Sequence, residues 1–118
     1  MTVKNIDLLK CVTPMKILCE KENIGFLTSL SISKNVREID NALEKYLSQK
    51  QSLNDTYLIT GNNTQTIKSG FEEEYLSKVT ELNEREITLP IETIDASELS
   101  AITFPPKYVE GIYFMLDI

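Results

Sequence analysis

The side chains able to do chemistry are eighteen carboxylates, twelve lysines and arginines and two cysteines, with no histidine. Without histidine the chain lacks the usual general base at neutral pH and the commonest metal ligand, so most hydrolase and metalloenzyme mechanisms lose their leading residue. Cys11 and Cys19 form neither a C-x-x-C redox pair nor part of a zinc quartet. On one helix they would lie about 12 Å apart along the axis, beyond disulfide reach. Glu72, Glu73 and Glu74 are consecutive, so on a helix they point around the axis and not into one pocket. Lys68 beside Ser69, and Ser77 beside Lys78, lack the spatial convergence that a Ser-Lys nucleophile requires. Neither common glycine-rich phosphate loop is present. The chain is expected not to be an enzyme and to need no metal or organic cofactor.

Charge points instead to surfaces. The net charge is -6, which disfavours direct nucleic-acid binding because no basic excess is available to displace phosphate counterions. Residues 1–59 hold eight basic and seven acidic side chains, whereas residues 60–118 hold four and eleven, so the acidity belongs to the C-terminal half. Glu72 to Glu74 open a helix, where the macrodipole favours carboxylates. Beyond them, Glu84, Glu92, Asp95 and Glu98 form a candidate acidic strip for a basic protein partner, since complementary fields speed encounter and suppress wrong partners.

The elements that must position these residues follow from periodicity. Asn5 to Glu22 has helical apolar spacing with Asn5 as a possible N-cap, and Pro14 predicts a kink or a restart capped by Thr13. After Gly25 the alternation of Phe26, Thr28, Leu30 and Ile32 with Leu27, Ser29, Ser31 and Ser33 fits a short strand or a serine-rich connector. A long helix runs from about Val36 to Leu58, with Asn35 and Glu38 at capping-box spacing. Val36, Ile39, Leu43, Tyr46 and Leu53 lie on a heptad seam interrupted by Lys50, whose charge must reach water or a carboxylate. That seam serves either packing inside the domain or self-association into a homo-oligomer.

Thr60 to Thr64 is turn chemistry, and a second helix is expected from about Thr66 to Arg85, or from Ser69 if Gly70 delays it. Ile87, Leu89 and Ile91 alternate as a strand that Pro90 confines to an edge. Asp95 and Glu98 cap a short helical turn, Pro105-Pro106 breaks it, and Val109 to Leu116 reads as a final helix in preference to a strand. Ile112, Tyr113 and Phe114 are consecutive and cannot share one buried face, so Tyr113 and Phe114 are candidate partner-binding residues. The fold class is mostly α with a small β element (α+β): an antiparallel helical hairpin, a kinked N-terminal helix and one or two short strands. Residues 1–118 fit one domain. No membrane span or secretory leader is legible, and unpaired cysteines suit a reducing cytoplasm.

In order and content these segments resemble a family of small tailed-phage proteins of unknown function, found mostly in phages of Gram-positive bacteria. The similar parts are the opening VKNIDLL, the helix NVREIDNALEKYLSQKQSLNDTYL, a polar loop, and FEEEYLSKVTELNEREITLPIETIDASEL before a short hydrophobic end. The chain differs in Pro14 and in the aromatic Tyr113-Phe114 tail. The resemblance implies a phage accessory protein in the host cytoplasm that acts by stoichiometric protein binding. It would inhibit a host defence protein by occupying it; the alternative is a virion assembly or chaperone protein that binds a phage structural component.

Overall fold

A computed structural model describes the chain from Met1 to Ile118. Its elements in order are β1 (Thr2–Lys4), α1 (Asn5–Cys19), α2 (Phe26–Tyr57), β2 (Leu58–Gly61), β3 (Thr64–Ile67), α3 (Glu72–Glu84), β4 (Glu86–Thr88), β5 (Ile94–Asp95), α4 (Pro106–Ile112) and β6 (Leu116–Asp117), with 3-10 turns at Ala96–Leu99 and Tyr113–Met115. The strands pair two by two: β1 with β4 and β2 with β3 antiparallel, β5 with β6 parallel. The architecture is mostly α with a small β element.

Helix α1 is continuous through Pro14, and neither restarts nor uses Thr13 as a cap. Proline at this position removes the N–H that would bond the Lys10 carbonyl. Gly111 of α4 fills the space beside that carbonyl so closely that a Cβ on it would lie 2.6 Å from Lys10 O and 2.5 Å from Pro14 Cγ. The proline marks a helix crossing. Asn5 is likewise not the cap: it is buried inside α1, donating through Nδ2 to Leu82 O at 2.9 Å, while its N–H bonds Arg85 O at 3.0 Å. It ties the end of α3 to the start of α1. The pairing of Val3 with Ile87 escaped the sequence reading, because a three-residue strand carrying one inward apolar side chain has no period to detect.

Helix α2 begins ten residues before the expected Val36, so Phe26 to Ser33 is helix and not strand. Its buried positions Ile32, Asn35, Ile39, Ala42 and Tyr46 advance by three and four, which places Ile32 on the same stripe as the seam. At 1.5 Å per residue its 32 residues span about 48 Å, close to the 53 Å long axis of the molecule.

The return is antiparallel, and three tyrosine hydroxyls fix its register. Tyr46 donates to Asn83 Oδ1 (2.5 Å), Tyr75 to Asn54 Oδ1 (2.7 Å) and Tyr57 to Glu74 Oε1 (2.8 Å), so the partner number falls along α3 as the number rises along α2. The turn at the far end is a β-hairpin instead of an unstructured loop. Asn62 and Asn63 take φ of 50° and 64°, the two left-handed positions that a tight hairpin between right-twisted strands requires. Thr64 to Ile67 is therefore strand, and α3 starts only at Glu72, after Gly70 turns the chain at φ 88°.

The core is one cluster drawn from α1, the first half of α2 and the C-terminal segment. After Leu89, Asp95 opens the first 3-10 turn as expected, but by accepting from Ser97 N at 2.9 Å and without a return bond from Glu98 to complete the capping box. The tail changes conformation within a few residues: α4 ends at Ile112, a 3-10 turn carries Met115 inward to zero exposure, and Leu116 then pairs with Ile94. A single helix over Val109 to Leu116 is thereby corrected. With its proline at the first helical turn, α4 is only seven residues long, too short to hold its pattern to the end.

Candidate functional site

Residues 47–81 contain no buried side chain, although they include the second half of α2, the β-hairpin and most of α3. They form an arm beyond the core. The radius of gyration is 17.6 Å, against about 13 Å for a compact chain of this length. The arm holds its shape through its own inner face. Tyr57 stacks obliquely on Phe71 and Tyr75, with ring centroids 6.1 and 6.0 Å apart, and Lys50 Nζ lies 5.9 Å from the Tyr75 ring. Lys50 thus interrupts the heptad seam without burying an unpaired charge, because the ring face receives it. The arm also leaves Leu47, Ile59, Phe71 and Leu76 between 44% and 58% exposed.

The seam residues are largely spent inside the chain. Ile39 and Tyr46 are 2% and 4% exposed and so are removed from a self-association surface. Val36 and Leu43 are half-buried beside α1, and Leu53 is half-buried in a cleft shared with Lys78 and Leu82 of α3. Helix α2 meets α1 and α3 along the stripe that the heptad spacing picked out.

Most of the acidic strip also has internal partners. Glu84 accepts from Lys4 Nζ at 2.7 Å. Glu92 receives Lys34 Nζ at 3.2 Å, and hydrogen bonds from Ser31 and Lys34 hold its carboxyl below the usual range. Asp95 is lowered likewise, first by the Ser97 backbone N–H that it caps. Glu98, exposed on the turn Ala96–Leu99, keeps its charge toward solvent. Tyr113 is 56% exposed while Phe114 packs against the core, so the aromatic pair divides between surface and interior. These acidic and aromatic residues lie on separate elements.

Neither cysteine is placed as a reactive nucleophile. Cys11 is buried and donates to Asp7 O at 3.1 Å, and burial pushes its thiol up to about 11. Cys19 is exposed, yet its thiol is also raised, first by partial burial and then by Asp40 and Glu20. Low thiolate content makes both poor attackers. No group of three or more Cys, Asp and Glu side chains is placed to hold a metal ion, and no helix is long and apolar enough to cross a membrane.

The arm escaped the sequence reading as a site, because periodicity shows which face is apolar but not how far a helix pair extends past its core. The Asn62-Asn63 pair was the available signal, marking a tight hairpin at a distal tip. Compared with family models, curated proteins and solved structures, the chain matches none.

Proposed function

We propose that the protein acts by stoichiometric protein binding, without catalysis, and that residues 47–81 are its docking element. The observation that supports this reading most is the absence of any buried residue from the arm together with the exposure of Leu47, Ile59, Phe71 and Leu76 along it. For a phage accessory protein the partner is a virion component under assembly or a host protein to be inhibited. Because Glu84, Glu92 and Asp95 are engaged by Lys4, Lys34 and Ser97, the acidic strip supports inhibition by charge less than the arm supports assembly through an apolar contact. Capture from phage-infected cells, with the wild type beside an Ile59→Glu/Leu76→Glu variant, tests it. The expected result is a virion protein recovered in equimolar amount by the wild type and lost with the variant. An equally specific host protein moves the reading to inhibition, and recovery undiminished by the two substitutions removes the arm as docking element.

A further inference from the structure

We propose that the groove between α1 and α2, on the opposite part of the molecule from the arm's tip, is a docking site for a basic amphipathic helix of a partner protein. It rests on the protein-binding reading for the class of partner, and not on the arm. The groove encloses about 300 Å³. Met15 and Ile39 close its floor at 5% and 2% exposure, while Val12, Val36 and Leu43 stand half-buried on its walls. Leu9, three residues before Val12, continues the α1 wall and is 40% exposed. Val36 to Leu43 spans about 10 Å of helix, the length of two turns. Two packed helices leave a valley into which the side-chain ridges of a third fit at about 8–10 Å between axes; an extended strand would find no sheet edge there.

The rim determines the sign of the occupant. Glu20 and Asp40 both bear on Cys19 at one end of the groove, and neither takes part in an ion pair within the chain. Glu44 lies one turn beyond Asp40 on the same side of α2 and Arg37 one turn before it, so the extended rim sets three carboxylates against Lys16 and Arg37. Lys16 is the only cation in the groove lining. A second copy would set like charge against like across the contact, in a chain whose net charge is already -6. A helix with apolar anchors at i, i+3 and i+7 flanked by lysine or arginine satisfies floor and rim together.

Fluorescein-labelled peptides of fourteen residues, sharing three such leucine anchors and flanked by lysine or by glutamate, provide the test by anisotropy on the full chain. The lysine peptide should bind at least tenfold more tightly than the glutamate peptide and weaken with salt. It should also slow maleimide modification of Cys19, the exposed thiol. A Glu20→Lys/Asp40→Lys variant, altering two exposed side chains, should lose tenfold or more in affinity with its thermal midpoint retained, whereas Ile59→Glu/Leu76→Glu in the arm should bind as the wild type does. Equal affinity for the two peptides, equal binding of a proline-broken lysine peptide, or indifference to the rim reversals would overturn the proposal. So would a dimer of the chain alone that Val12→Glu dissociates, because the groove would then belong to a second copy.

Discussion

The side-chain amide of Asn35 pairs with the backbone of Glu92 in both directions: Nδ2 donates to Glu92 O at 2.8 Å, and Oδ1 accepts from Glu92 N at 2.8 Å. A residue in the middle of α2 thereby completes the hydrogen bonding of an extended segment that has no strand beside it. Asn35 is fully buried, and asparagine alone among residues of its size offers a donor and an acceptor in one plane. The clasp holds the C-terminal segment against α2 and sets up the parallel pairing of Ile94 with Leu116 that follows.

Replacing Asn35 by Leu strands both backbone groups of Glu92 and should destabilise the protein by about 2–6 kcal/mol, at about 1–3 kcal/mol for each group left unsatisfied. Asn35→Asp keeps the acceptor but loses the donor and buries a charge. Its carboxyl would titrate above the unfolded value of about 3.9. A group raised in this way contributes stability fully below the unfolded pKa and loses it as pH rises through the folded one. Urea unfolding should therefore find the aspartate variant closest to wild type near pH 4 and weakest at pH 7. A constant deficit across that range would contradict the assignment.

Gly111→Ala tests the crossing of α1 and α4. The added methyl meets the Lys10 carbonyl and the Pro14 ring at 2.6 and 2.5 Å, so one helix must shift. Overpacking of this kind costs about 1–3 kcal/mol. Pro14→Ala in the same chain removes the ring while leaving the carbonyl, and should recover part of the loss. A thermal midpoint unchanged by Gly111→Ala would mean that the helices do not approach so closely.

The contrast between these two sites explains what the sequence could tell. The span of α2 from Val36, a helical turn opened by Asp95 and a strand at Ile87 were legible because each is a local pattern, although the alternation expected through Ile91 is strand only over Glu86–Thr88 and stops before Pro90, which has no N–H for a ladder. Asn35 was read as a cap because its local neighbours fit one, whereas its actual partner is 57 positions away. Pro14 was read as a kink or a restart for the same reason, since the residue that makes it useful is Gly111. The candidate surfaces divide similarly. The seam named Val36 and Leu43 correctly as one stripe, but which of its members α1 and α3 would cover is a property of packing, and Ile39 and Tyr46 went inside.

Deleting Gly111 to Ile118 should yield an unfolded or aggregating product. The deletion removes Ile112 at 3% exposure, Met115 at zero and the strand partner of Ile94. Loss of a buried methionine side chain alone costs about 2–5 kcal/mol, a large part of the roughly 5–15 kcal/mol that holds a domain together. Tyr113→Ala, at a side chain 56% exposed, should change stability by less than about 0.5 kcal/mol. Circular dichroism melts separate the two, and a truncated chain that melts cooperatively near the wild-type midpoint would remove the tail from the core.

Tyr46 should make the junction of arm and body sensitive to alkali. Its hydroxyl is directed at Asn83 from a side chain 4% exposed, and burial, with a smaller contribution from Tyr75, raises its phenol above the usual value. Folding therefore favours the neutral form. The resulting stability is complete below the unfolded pKa of about 10 and is lost as pH rises through the higher folded value. Tyr46→Phe gives up the hydrogen bond and should cost about 1 kcal/mol at pH 7, but it has no proton to lose. Wild type and variant measured by urea unfolding at pH 7, 9 and 10.5 should keep a constant separation over the first two and converge at the third. If the separation persists undiminished at pH 10.5, the Tyr46 hydroxyl is not buried at the base of the arm.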